Sequence, residues 1–158
     1  MRTKLTLTEL PRSIGSPDSD RLNRVIAWCC LALGAGTGLI MGLWSFDGPV
    51  RVPEWLGEYG DTSRRLARLG HIALFGIVML NLFVVAELRR VSMSPIARKT
   101  ALAAINFGNI FLPLSLFLAA AYRPLKYFMS VPATLVFLAL VIVAWGVCRH
   151  SNSREKSE

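Results

Sequence analysis

Four long apolar stretches dominate this chain, at 25–46, 69–86, 100–122 and 128–148, and none contains Asp, Glu, Lys or Arg. No stretch alternates apolar with polar positions, so the pattern excludes half-buried strands and points to helices. A helix needs roughly 17 to 25 apolar residues to cross the hydrocarbon core of a bilayer, and all four stretches are long enough. Unpaired backbone is too costly in lipid for anything except helices or closed barrels. The expectation is an all-α integral membrane protein, a four-helix transmembrane bundle with spans at 25–46, 66–87, 99–122 and 128–148.

The polar segments organise the rest. At 158 residues the chain has room for one domain, here 21–149, between cytoplasmic tails at 1–20 and 150–158. The first tail is expected to be flexible, with a short interfacial segment at 5–10, and the last to fray. More than twenty largely polar residues precede the first span. That does not fit a cleavable signal peptide, so the span is expected to be retained. Asp18 or Ser19 is placed to cap a helix beginning near Asp20.

The loop 47–63 has turn signals at Gly48, Pro49 and Pro53, and helix breakers at Gly57 and Gly60. Trp44, Trp55 and Tyr59 lie where aromatic rings favour the headgroup layer. Glu54, Glu58 and Asp61 are expected to pair with Arg64, Arg65 and Arg68, and Asp61 or Thr62 to cap the second helix. Pro95 ends one helix and, with Ser94, makes a turn before the next begins near Arg98. The connection 123–126 is so short that the third and fourth spans must form an antiparallel hairpin. Pro132 falls near the start of the fourth span, where a proline costs little. That span has only Thr134 and Trp145 as polar handles and reads as lipid-facing or partner-facing.

The net charge of +8 invites a nucleic-acid reading, but its distribution does not. Twelve of the 18 Lys and Arg fall in the N-terminal tail, the 87–99 loop and the C-terminal tail; six fall in the other two loops. By the positive-inside rule both termini are cytoplasmic. The basic residues are topology signals, and no nucleic-acid partner is expected. Cys29, Cys30 and Cys148 have neither metal spacing nor a disulfide framework, and read as small packing residues.

Packing and polar positions come next. Gly34, Gly38 and Gly42 recur every four residues in the first span, a spacing that lets another helix backbone approach closely. The same groove would also accept a flat ring. In the third span Asn106, Asn109 and Pro113 share a face. Counted from the basic loop, Asn81 lies six residues in from Glu87, and Asn106 seven from Lys99. An antiparallel pair of helices therefore brings them to one depth, which predicts an Asn81–Asn106/Asn109 hydrogen-bonded cluster. Pro113 should free a carbonyl near Asn109 for an amide to bond.

His71 is the only ionisable residue inside an apolar run, and such residues are functional hypotheses by default. Its depth matches that of Gly38 and Gly42, and Arg64 and Arg68 lie on its face one to two turns outward. A histidine facing glycines offers a ligand nitrogen and room for a ring, with arginines for propionates. Haem b or quinone is therefore the candidate cofactor, with His71 the metal ligand only in the haem case. Against it, the second histidine, His150, lies at the opposite face, and no Cys-x-x-Cys-His sequence is present. The preferred reading is a neutral His71 bonded to a backbone carbonyl or polar neighbour, with no cofactor, and a proton-linked role is a further alternative.

No Ser–His–Asp set, phosphate-binding glycine loop or acidic metal cluster is present, so no catalytic residue is assigned. Asn106, Asn109 and Pro113 are a faint version of the broken polar helix of a transporter. The weight falls on a non-catalytic accessory or assembly subunit of a larger membrane complex, of respiratory or redox type. Its partners would be the bilayer and other membrane subunits or further copies of itself, in a bacterial inner membrane. A haem- or quinone-binding electron-transfer protein centred on His71 is the first alternative, and a small transporter or channel the second.

Overall fold

The computed structural model describes residues 17–45 and 48–155, with side chains over 21–45 and 48–149. The expected interfacial segment at 5–10, the capping side chains of Asp18 and Ser19, and the side chain of His150 lie outside this description. The chain is all-α: α1 (Pro17–Leu43), α2 (Thr62–Arg90), α3 (Pro95–Ala121) and α4 (Ser130–Glu155), with no strand among the described residues. All four helices are long and apolar enough to cross a membrane, over stretches of 23 to 29 residues.

Several ends move outward from their expected positions. α1 begins at Pro17 rather than near Asp20, and α4 runs as helix to Glu155, into the segment expected to fray. α3 starts at Pro95 rather than near Arg98, because Ser94 is its N-cap: the Ser94 hydroxyl oxygen accepts from the amide of Ala97 at 3.2 Å. Proline at the first helical position loses nothing, since that amide has no helical partner. Across the turn, Arg98 donates to the carbonyl of Leu88 at 2.6 Å and so closes the C-terminal end of α2. The α3–α4 connection is a 3₁₀ helix over Arg123–Met129, and the two helices form the expected hairpin.

In cross-section the bundle is a rhombus. α2 and α3 form its short diagonal; α1 packs on both from one side and α4 on both from the other. Accordingly 39% of the most apolar window of α3 is buried, against 17% for α1. Val84, Val85, Leu88, Ala101, Leu102, Ala104 and Ile105 join α2 to α3, and Val136 and Ala139 bring in α4. α4 thus has one packed face and one open face. Gly108 makes the α3–α4 approach possible, because a Cβ there would overlap Val136.

The loop at the other end is anchored differently from the sequence expectation. Leu56, 1% exposed in a short 3₁₀ turn (Glu54–Leu56), inserts among Leu66, Ala67, Leu116, Ala119 and Ala120. Trp55 and Tyr59 are exposed. This apolar plug, with Trp44 packed beside it, ties the loop to α2 and α3.

Candidate functional site

Two polar groups lie inside the apolar band, one in each half of the bundle, the first buried and the second half-buried. The first is a ladder of amides. Asn81 on α2 donates from Nδ2 to Oδ1 of Asn106 at 3.1 Å and accepts at its own Oδ1 from Nδ2 of Asn23 at 2.5 Å. Asn81 is fully buried and Asn23 is 1% exposed. One side chain therefore holds three helices in register. Asn23 was not singled out in the sequence because it precedes the first apolar run. Its signal is positional: Asn23, Ala27, Cys30 and Gly34 follow at spacings of four and three and form the buried seam of α1.

Asn109 does not join this ladder. It is fully buried, and neither its Nδ2 nor its Oδ1 has a hydrogen-bond partner in the structure. Its backbone is engaged instead. Pro113, buried inside α3, has no N–H to offer the carbonyl four residues earlier, which is that of Asn109. The thiol of Cys30 lies 3.8 Å from that oxygen and donates to it. The freed carbonyl thus finds a thiol from α1 where the sequence led us to expect an amide.

The second group is His71. Its ring packs against Gly38, where an added Cβ would lie 2.8 Å from Cε1 and 3.5 Å from Nε2. Phe75 meets the ring edge-on with centroids 5.3 Å apart. Nδ1 lies 3.1 Å from the hydroxyl oxygen of Thr37, and that hydroxyl in turn lies 2.9 Å from the carbonyl of Gly34. Thr37 has one proton. If the carbonyl takes it, Nδ1 must carry the ring proton and donate to Thr37, which leaves Nε2 as a bare acceptor. Nε2 has no hydrogen-bond partner among the described residues.

The remaining residues of the expected pocket sit elsewhere. Gly34 faces Leu74 and Phe75, and Gly38 faces His71, but at Gly42 an added Cβ would meet nothing within 4 Å. The reason is rotational: each step of four residues advances about 40° beyond a full turn. By the third glycine the seam has passed to Met41, which is partly buried. Arg64 donates to the carbonyl of Trp44 at 3.0 Å, and Arg68 to that of Tyr59 at 3.2 Å. Both guanidinium groups lie over the Tyr59 ring, at 5.3 and 4.0 Å. Among the described residues no carboxylate of the loop pairs with them. Asp61 caps no helix amide but accepts from the amide of Glu58 at 2.8 Å. The expected ion pairs are replaced by carbonyl bonds and cation–π contacts.

No group of three or more His, Cys, Asp or Glu side chains is placed to hold a metal among the described residues. Comparison with family models, with curated proteins and with solved structures finds no match to this chain, so its functional reading stands on this geometry.

Proposed function

We propose that this chain is a non-catalytic accessory or assembly subunit of a larger membrane complex, multi-pass in a bacterial inner membrane with both termini in the cytoplasm. The observation that carries the reading is the outward face of α1. Trp28, Ala32, Ala35, Leu39 and Gly42 follow at spacings of four and three residues, and all are exposed. Small residues set between large apolar ones let a second helix approach closely. Lipid tails, being fluid, need no such relief. The amides of Asn23, Asn81 and Asn106, by contrast, are directed at one another. The basic residues concentrated at the end bearing both termini support the orientation.

Native mass spectrometry of the full chain, extracted from its own membrane in mild detergent, tests this. Other subunits, or further copies of the chain, should accompany it. They should be lost in Ala35→Leu and Gly42→Leu, while the thermal unfolding of the chain itself is unchanged. A chain that runs alone, or variants that keep every companion, would sink the reading.

One observation favours a second reading. Nε2 of His71 has no partner among the described residues: with the ring proton on Nδ1 it offers a lone pair to haem iron, and with the proton on Nε2 it would donate to a quinone carbonyl. A mass of that size that disappears in His71→Ala would move the assignment there.

A further inference from the structure

At the end of the bundle that bears both termini, the turn 91–94, the first turn of α3 and the last membrane turn of α4 enclose a recess of about 630 Å³. Ser92, Ser94 and Arg149 supply its polar lining, and Met93, Ala97, Trp145 and Gly146 the rest; among the described residues no carboxylate lines it. Its floor is tight, because a Cβ at Gly146 would lie 2.8 Å from the sulfur of Met93.

The chemistry of this lining selects an anion. The Arg149 guanidinium, part of this lining, lies 4.8 Å over the Trp145 ring. Ser94 accepts from Ala97 through its oxygen and so keeps its own proton to donate. The N-terminal end of α3 opens here and adds the positive pole of its dipole. Arg89, Arg90, Arg98 and Lys99 border the same turn in sequence. The surface that leaves the recess selects for a lipid over a free anion. Leu138, Val141 and Trp145 lie at spacings of three and four on α4, each more than 40% exposed, and run from the recess into the apolar band.

We propose that this recess binds the phosphate headgroup of an anionic phospholipid, with an acyl chain lying along Leu138, Val141 and Trp145. Basic pockets between membrane helices are suited to such headgroups. The site is independent of the outward face of α1.

The test uses the full chain in nanodiscs of equimolar phosphatidylglycerol and phosphatidylcholine, released for native mass spectrometry, with retained lipids counted. Phosphatidylglycerol should be retained preferentially. Arg149→Gln should lower its retention about fivefold, and so should Ala97→Phe, which fills the recess without altering charge. Lys99→Gln, exposed and outside the lining, should change nothing. Equal retention of both lipids overturns the proposal, as does an intact preference in Ala97→Phe. A loss in Lys99→Gln equal to that in Arg149→Gln would mean diffuse surface charge, and also overturns it. Displacement of the lipid by inorganic phosphate alone would assign the recess to the free anion instead.

Discussion

The side-chain amide of Asn23 on α1 donates to that of Asn81 on α2, 2.5 Å away, inside the membrane-spanning part of the bundle. Asn81 then donates to Asn106 on α3, so one carboxamide determines how three helices meet. Bonds of this kind in a membrane contribute only about 0.6 to 2 kcal/mol each. Their directionality nevertheless makes them registers, since a helix slid by one residue loses them.

Asn81→Leu should therefore destabilise the bundle by about 1 to 3 kcal/mol, because it strands a buried donor and an acceptor together. Asn106→Leu should cost less: Asn106 is partly exposed, and its removal leaves the Asn23–Asn81 bond intact. Unfolding by titration with a denaturing detergent measures both. Equal losses would show that the Asn23 bond contributes nothing.

Glycines in this chain divide by what surrounds them. Gly108→Ala should cost about 1 to 3 kcal/mol by overpacking, because Val136 is branched and the carbonyl of Pro132 lies 3.4 Å from the new carbon. Most of that loss should return in the double variant with Val136→Ala. Gly42→Ala meets open space and should leave the isolated chain unchanged or slightly more stable. The same detergent titration checks all three.

Cys30 and Pro113 should be energetically coupled although neither bonds the other. In Pro113→Ala the new amide competes for the carbonyl of Asn109, and the Cys30 thiol loses its acceptor. Cys30→Ala should then cost less in the Pro113→Ala background than in the natural chain. The difference should be of order 0.5 kcal/mol, as suits a weak bond within a membrane. A double-mutant cycle with no coupling would remove the thiol from this account.

Orientation has its own test. In a chain with its three cysteines replaced, Glu58→Cys should react with an impermeant thiol reagent added to intact cells. Ser94→Cys should react only after lysis. The opposite pattern would invert the topology drawn from the basic residues.

The helices, their approximate ends and the shared depth of Asn81 and Asn106 follow from the amino-acid sequence alone. Each depends on the transfer of successive residues into hydrocarbon, or on counting from a charged boundary, and both are properties of a single segment. Which face of each helix turns inward was legible only where glycines or amides marked it, at Gly34 and Gly38, Asn81, and Asn106 with Asn109. In water a core-facing stripe is apolar and its opposite face polar, so the period reveals the face. In lipid both faces are apolar, and that contrast is absent. The seam through Asn23, Cys30 and Gly34, the Thr37 contact of His71, the fit of Gly108 to Val136 and the plug of Leu56 were decided only in three dimensions. There the shapes of particular side chains, and the few polar atoms that must find one another, fixed how far each helix turned about its axis.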